Sequence, residues 1–159
     1  APVFGIDKDL DTKKCIGKYV NPVTEGTFAM EDTPNIGESM VENPGVYCKS
    51  ANVSVLAANG KTPLITLNQF GAGKAMYLSS FRVSKESTRF LMRALLTLLG
   101  KEDKVRDYIC DNLYTECAYY EEIDKLVVIN NSGDTQKTVI KTAKGDVTVE
   151  LAPFATKVL

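Results

Sequence analysis

The stretch LITLNQFGAGKAMYLSSFRVSKESTRFLMRALLTLLG, residues 64–100, carries two strand patterns followed by one helix pattern. Apolar and β-branched residues dominate 64–70 and 74–80, and Gly71-Ala72-Gly73 between them supplies the positive φ values of a tight reversal. Ser84 is a good N-cap residue, and Gly100 suits a left-handed C-cap. The stretch therefore predicts a β-hairpin followed by a helix over residues 84–99.

The predicted helix is amphipathic. Arg89, Arg93 and Thr97 interrupt one side of it. The other side carries apolar residues at helical spacing, namely Phe90, Leu91, Ala94, Leu95, Leu98 and Leu99.

Residues 1–45 are rich in proline and glycine, which permits only short strands and loops. We predict strands at 26–30, 46–48 and 53–57 from their apolar and β-branched content. The chain opens Ala1-Pro2-Val3-Phe4 with no initiator methionine, so we expect a piece of a longer polypeptide. Such a piece should expose an apolar patch on its first 60 residues.

The last third of the chain has the pattern of an all-β domain. Residues 101–111 predict a short second helix, and five strands are predicted at 116–120, 125–130, 136–142, 146–151 and 154–159. Glycine with Asn or Asp marks the turns at 131–134 and 143–146. We therefore predict an α/β domain over 1–111 and a small antiparallel β-sandwich over 112–159.

Composition excludes several classes of protein. The 159 residues hold 19 Lys and Arg against 20 Asp and Glu, a net charge of −1 that does not favour nucleic acid. No apolar run reaches the roughly 18 residues of a membrane span. The chain has no histidine, which removes Ser-His-Asp and Cys-His catalysis and the usual zinc ligand.

The four cysteines show no Cys-x-x-Cys spacing, so neither a metal nor a cofactor site is predicted. They are Cys15, Cys48, Cys110 and Cys117. A nucleophilic thiol needs an activating base, and no histidine offers one. Because the sequence is neither short nor dense in cysteine and shows no apolar leader, we expect reduced and mostly buried thiols in a cytoplasmic protein.

Other candidate chemistry also has a structural interpretation. Gly71-Ala72-Gly73-Lys74 lacks the spacing of a phosphate-binding loop and is interpreted as the hairpin turn. Asp7, Asp9 and Asp11 lie in a segment that also contains Lys8, Lys13 and Lys14. This mixture of charges is interpreted as a solvated surface. Glu121 and Glu122 would point to opposite faces of an extended strand.

Three tyrosines could stack on a sugar ring, namely Tyr114, Tyr119 and Tyr120. Strand alternation assigns at least one of the last two to the core.

Several segments carry a family resemblance: VFGIDKD at 3–9, LNQFGAGKAMYLSS at 67–80, STRFLMRALL at 87–96, VVINN at 127–131 and QKT at 136–138. Together they resemble the C-terminal part of bacterial lacto-N-biose/galacto-N-biose phosphorylases, over nearly the whole chain. The resemblance implies a catalytic barrel upstream, then an amidotransferase-like (Rossmann-like) α/β domain, then a small β domain.

The same resemblance implies a function for the parent protein. Its family converts Gal-β1,3-HexNAc, or related galactosyl-rhamnose, and phosphate to galactose 1-phosphate in the cytoplasm, as a glycosyltransferase-type phosphorylase without a cofactor. The general acid of the family is an aspartate in the barrel, and no position here matches that motif. We therefore assign no catalytic, cofactor-binding or metal residue to this chain.

The implied role is to support the barrel of the same polypeptide, with homo-oligomer formation left open and neither nucleic acid nor membrane as partner. Three alternatives stay open: the trailing domains of a β-galactosidase, a free-standing sugar-binding β module, and a cysteine-dependent amidotransferase-like enzyme.

Overall fold

The computed structural model describes residues 2–11, 17–104 and 107–159. These residues form two compact units, residues 1–100 and residues 101–159. Each unit has its own hydrophobic core.

The described residues of the first unit form five strands and one α-helix. The strands are β1 (Ile6–Lys8), β2 (Val46–Cys48), β3 (Ser54–Asn59), β4 (Thr62–Phe70) and β5 (Gly73–Leu78), and the helix is α1 (Lys85–Leu99). Strands β3, β4 and β5 form an antiparallel sheet in that order, and β1 pairs with β2. Gly71 turns the β4–β5 hairpin with φ 59°, which confirms the predicted hairpin.

A glycine allows the N-terminal segment to approach the sheet closely. Gly5 has φ 66°, and a Cβ there would overlap the side chain of Val53. The Asn68 side chain of β4 donates to the carbonyls of Pro2 (3.1 Å) and Val3 (2.8 Å). The residues before β1 are therefore fixed against β4.

Both ends of α1 are set by the predicted residues. Ser84 Oγ accepts from the Ser87 amide at 3.1 Å, and Ser87 Oγ accepts from the Ser84 amide at 2.8 Å, which completes a reciprocal cap. Gly100 ends the helix with φ 63°. The predicted helix over 84–99 is confirmed to within one residue.

The side of α1 that meets the core differs from the apolar side of the sequence pattern. Phe90 and Ala94 are buried, but so are Arg93 and Thr97, while most of the leucine side is exposed. The reason is a partner distant in sequence: Arg93 Nε donates to Asp32 at 2.6 Å, and Arg93 Nη1 donates to Glu31 at 2.9 Å. A guanidinium that is paired with two carboxylates can be buried. The apolar pattern of the sequence therefore predicted the wrong buried side of α1.

Two other predicted elements are wrong. Residues 26–30 form no strand, because Phe28–Met30 make a buried 3-10 turn. Residues 101–111 form no second helix: Glu102–Lys104 are a 3-10 turn and β6 (Ile109–Cys110) is a strand, with 105–106 outside the described residues. The short strand β1 was not predicted, since three residues carry too little periodicity.

The strands of the first unit do not confirm an amidotransferase-like Rossmann sheet. Every strand pair in the described part of the chain is antiparallel. A parallel contact exists only as an isolated bridge between Val23 and Val55. The described architecture is antiparallel sheets with one α-helix.

The second unit is an antiparallel β structure with sandwich-like character. Besides β6 it contains β7 (Thr115–Tyr120), β8 (Lys125–Asn130), β9 (Gln136–Lys141), β10 (Val147–Leu151) and β11 (Thr156–Val158). One sheet has the order β7-β8-β11 and the other β6-β9-β10. Residues of both sheets share one core, including Val128, Ile140 and Val149.

A buried asparagine joins the turns at one end of this unit. Asn130 Nδ2 donates to the carbonyls of Asp134 (2.7 Å) and Ala152 (2.9 Å), and Asn130 Oδ1 accepts from the Ser132 amide (2.9 Å). The side chain of Asn130 thus connects the β8–β9 turn to the segment after β10.

Truncation of Phe90 tests which side of α1 is buried. Phe90→Ala should lower the free energy of unfolding by about 3–5 kcal/mol, because the ring is fully buried and leaves a cavity. Leu95→Ala, on the exposed side, should cost less than about 1 kcal/mol. Urea unfolding of both variants measures the difference, and equal losses would contradict the described rotation of the helix.

Removal of the Asn130 amide tests the second unit in the same way. Asn130→Ala should cost about 2–4 kcal/mol, because it leaves buried backbone groups without a partner. The matched control is the exposed neighbour Asn131, whose replacement by alanine should change stability by no more than about 0.5 kcal/mol. A loss at Asn131 as large as that at Asn130 would refute the role given to the buried amide.

Candidate functional site

The first unit has an open cleft beside strand β3. The cleft has a volume of about 450 Å³, and its walls include Glu25, Thr27, Met30, Glu31 and Leu56. The Thr24 amide donates to the Val55 carbonyl at 2.7 Å, which holds this segment against the edge of the sheet.

The polar side chains that line the cleft are carboxylates and hydroxyl groups. Glu25 and Glu31 contribute carboxylates, and no described lining residue is basic. The Thr27 hydroxyl is buried and has no hydrogen-bond partner among the described residues. Glu31 is paired with Arg93, whereas the Glu25 carboxylate adds negative charge to the cleft and repels phosphate, so the lining suits a neutral or cationic ligand.

A network of charges lies between α1 and the segment that follows the 3-10 turn at Phe28–Met30. Arg93 pairs with Asp32 and Glu31, its guanidinium lies 4.4 Å from the centre of the Phe28 ring, and Arg89 lies 3.6 Å from Asp32. No sequence signal identified this network, because its partners are about 60 residues apart. These cations are held by carboxylates of the same unit.

The acidic N-terminal cluster consists of ion pairs at the surface. Asp7 accepts from the Lys8 amide (2.9 Å) and pairs with Lys49 (3.3 Å), and these contacts lower the pKa of Asp7. Asp9 pairs with Lys18 and accepts from the Asp11 amide. Asp7, Asp9 and Asp11 therefore form no pair of reacting carboxylates, while Lys13 and Lys14 lie outside the described residues.

The thiols have the environment of core residues. Cys48 and Cys110 are buried, as predicted, and burial raises the pKa of Cys48. The Cys117 thiol donates to the Tyr108 carbonyl at 3.0 Å. Cys15 lies outside the described residues. A raised pKa opposes formation of the nucleophilic thiolate.

The glycine-rich segment is a turn, as predicted. Lys74 is the second residue of β5 and is not followed by a helix, and its ammonium donates to the Thr97 carbonyl near the end of α1 (3.3 Å). This contact does not resemble a phosphate-binding loop, in which a helix follows the lysine.

The tyrosines do not form one sugar platform. Tyr119 stacks on Tyr108 with ring centres 4.1 Å apart, and its hydroxyl donates to Asp124 at 2.7 Å. Tyr114 and Tyr120 are exposed but lie at opposite ends of β7, about 20 Å apart at the usual rise of a strand. One sugar ring cannot contact both.

The pair Glu121 and Glu122 follows β7 in a 3-10 turn, so the premise of an extended strand is wrong here. Both residues are exposed. The 3-10 turn therefore holds both carboxylates at the surface rather than in the core.

The described residues contain no cluster of metal-ligating side chains and no helix that could span a membrane. Within 2–11, 17–104 and 107–159, no three histidine, cysteine or acidic side chains lie close enough to hold a metal ion. The helix in these ranges is also too short and too polar to cross a bilayer.

The Tyr119–Asp124 contact makes a prediction about ionisation. The hydrogen bond to Asp124 raises the pKa of Tyr119 well above the ordinary value of 10, because a phenolate beside a carboxylate is disfavoured. Near-ultraviolet titration of Asp124→Asn should show one tyrosine ionising at lower pH than in the unmodified chain. Tyr119→Phe, added to Asp124→Asn, should remove that ionisation step. The control variant Asp134→Asn should leave the titration unchanged. An unchanged titration in Asp124→Asn would contradict the contact.

Comparison with known proteins identifies relatives along the whole chain. The family model of the lacto-N-biose phosphorylase central domain matches residues 1–103, and that of the lacto-N-biose phosphorylase C-terminal domain matches residues 108–159.

Curated relatives agree with these matches. A D-galactosyl-β-1→4-L-rhamnose phosphorylase of Lachnoclostridium phytofermentans is 33% identical over 162 residues, covering 100% of this chain and 21% of that protein. A 1,3-β-galactosyl-N-acetylhexosamine phosphorylase of the same bacterium is 29% identical over 88% of this chain and 19% of its own length. One from Bifidobacterium longum subsp. longum is 26% identical over 91% of this chain and 23% of its own length.

The chain spans about a fifth of the length of these relatives, all of which are disaccharide phosphorylases. The two family models match successive parts of the chain, central domain first and C-terminal domain second. This chain belongs to the lacto-N-biose phosphorylase family.

Proposed function

We propose that this chain is the non-catalytic C-terminal portion of a disaccharide phosphorylase. The parent converts a β-galactosyl disaccharide, either Gal-β1,3-HexNAc or a related galactosyl-rhamnose, and phosphate to galactose 1-phosphate. The support comes from relatives with these activities and from the small share of each relative that the chain matches.

The reaction sets clear chemical requirements. A phosphate oxygen forms a new bond to the anomeric carbon while the glycosidic C–O bond breaks, and a general acid gives its proton to the departing oxygen. The site needs a free carboxylic acid beside the glycosidic oxygen and cations that hold the phosphate.

The structural observation that carries the proposal is that Arg93 in the first unit and Asp124 in the second are each held by partners within their own unit. The buried guanidinium of Arg93 serves Asp32 and Glu31, and Asp124 is held by Tyr119 and Lys144. The cleft beside β3 has carboxylates but no described cation for phosphate. This distribution supports a supporting role rather than catalysis.

The proposal includes an organisation for the parent. The first unit forms the C-terminal part of an amidotransferase-like α/β domain, and the second unit, to which β6 belongs by its pairing with β9, forms the small β domain at its end. Both support an upstream catalytic barrel of the same polypeptide in the cytoplasm. The description of the first match as a central domain agrees with further sequence ahead of it in the family.

The proposal predicts that the separate chain has no phosphorolytic activity. Purified residues 1–159 should release no galactose 1-phosphate from lacto-N-biose, galacto-N-biose or galactosyl-rhamnose with phosphate. The whole D-galactosyl-β-1→4-L-rhamnose phosphorylase, assayed with galactosyl-rhamnose, shows that the assay detects product.

Contamination can be separated from true activity with a matched variant. Product formation that persists through further purification, and that falls in Glu25→Gln or Glu31→Gln, would place a reacting group in the cleft and overturn the proposal. Activity that is equal in these variants and disappears on further purification is a trace of host enzyme and leaves the proposal standing.

A further inference from the structure

The exposed side of α1 is an apolar face. Leu91, Met92, Leu95 and Leu99 are all exposed, and they lie within about 100° of one another around a helix. The buried residues of α1, centred on Phe90 and Thr97, lie on the opposite side. We name these four residues the leucine face.

The leucine face is not a by-product of loose packing. The opposite side of the helix is fixed by the ion pairs of Arg93, and both helix ends are capped, so α1 cannot rotate to bury its leucines. Turning the helix would expose Phe90 and would separate a buried guanidinium from its carboxylates. The face is therefore presented outward by the same contacts that hold the unit together.

The charges around the face favour an apolar partner. Lys85, at the start of the helix, pairs with Glu86 at 3.6 Å, and Arg89 pairs with Asp32. The face thus lacks the lysine-rich or arginine-rich border of helices that bind anionic membranes. An apolar protein surface matches this chemistry better than a lipid surface.

The area of the face argues for a partner on the same polypeptide. A helix of 15 residues is about 22 Å long and about 10 Å wide, so one face offers roughly 200–400 Å². A stable interface between separate proteins buries about 800 Å² on each partner. The face is too small to hold a free second copy, but a covalent tether supplies an effective concentration in the millimolar range.

We infer that the leucine face docks on an apolar surface of the same polypeptide that lies outside residues 1–159. This inference rests on the proposed function, in which the chain is one part of a longer phosphorylase. Roughly four fifths of the length of each relative lies outside the match, which provides sequence for such a surface.

Site-specific photo-cross-linking in the complete polypeptide encoded by the gene tests the inference. A photoreactive amino acid at position 95 should cross-link, within one polypeptide, to a peptide outside residues 1–159. The matched control places the same group at Lys61, an exposed residue between β3 and β4 of the same unit. Mass spectrometry of the digested product identifies the partner peptide.

Several outcomes would overturn the inference. These are a cross-link between two copies, a cross-link to lipid, a cross-link only within residues 1–159, or a yield no higher than at Lys61. None of them affects the proposed function, which is tested separately by the phosphorolysis assay of residues 1–159.

A pair of charge substitutions gives a second, independent readout. Leu95→Glu should leave the unfolding midpoint of the separate chain unchanged and lower it in the complete polypeptide, because only there is the side chain covered. Lys61→Glu should change neither. Equal effects of Leu95→Glu in both forms would show that nothing outside residues 1–159 covers the face.

Discussion

The ion pair between Arg93 and Asp32 decides how the first unit is built. The pair joins α1 to a segment about 60 residues earlier in the chain, and the Arg93 side chain is almost fully buried. Losing one member of a buried pair typically costs about 3–5 kcal/mol, so the pair fixes which side of α1 meets the sheet. The buried Phe90 and the outward leucines both follow from that choice.

The same pair explains why Arg93 is unsuited to phosphate binding. A cation that holds phosphate must reach the ligand, whereas Arg93 is directed at Asp32 and at Glu31, which lines the cleft beside β3. In the second unit, the Asn130 amide has a comparable structural role, because it donates to backbone carbonyls of the β8–β9 turn and of the segment after β10. Polar groups that are strongly bound inside the fold stabilise it and are not available to a substrate.

Local signals in the sequence predicted the elements whose boundaries are set locally. Gly71 in the hairpin, Ser84 and Gly100 at the ends of α1, and the alternation of β7 to β10 act through neighbouring residues. The rotation of α1 depended on Asp32, and the 3-10 turn at Phe28–Met30 depended on burial against the helix, so neither could be predicted from a local pattern. The family followed from segments spread along the chain, while the assignment of no catalytic residue stays a prediction from the sequence.

The central claim is that this chain is a supporting part of a longer phosphorylase. In the relative from Lachnoclostridium phytofermentans, the 162 matched residues are 21% of the protein, which corresponds to roughly 770 residues in total. The most direct measurement is the sequence of the gene upstream of the codon for Ala1. The account predicts an open reading frame that continues for several hundred codons and encodes the alternating strands and helices of a barrel. A start codon immediately before Ala1 would contradict it.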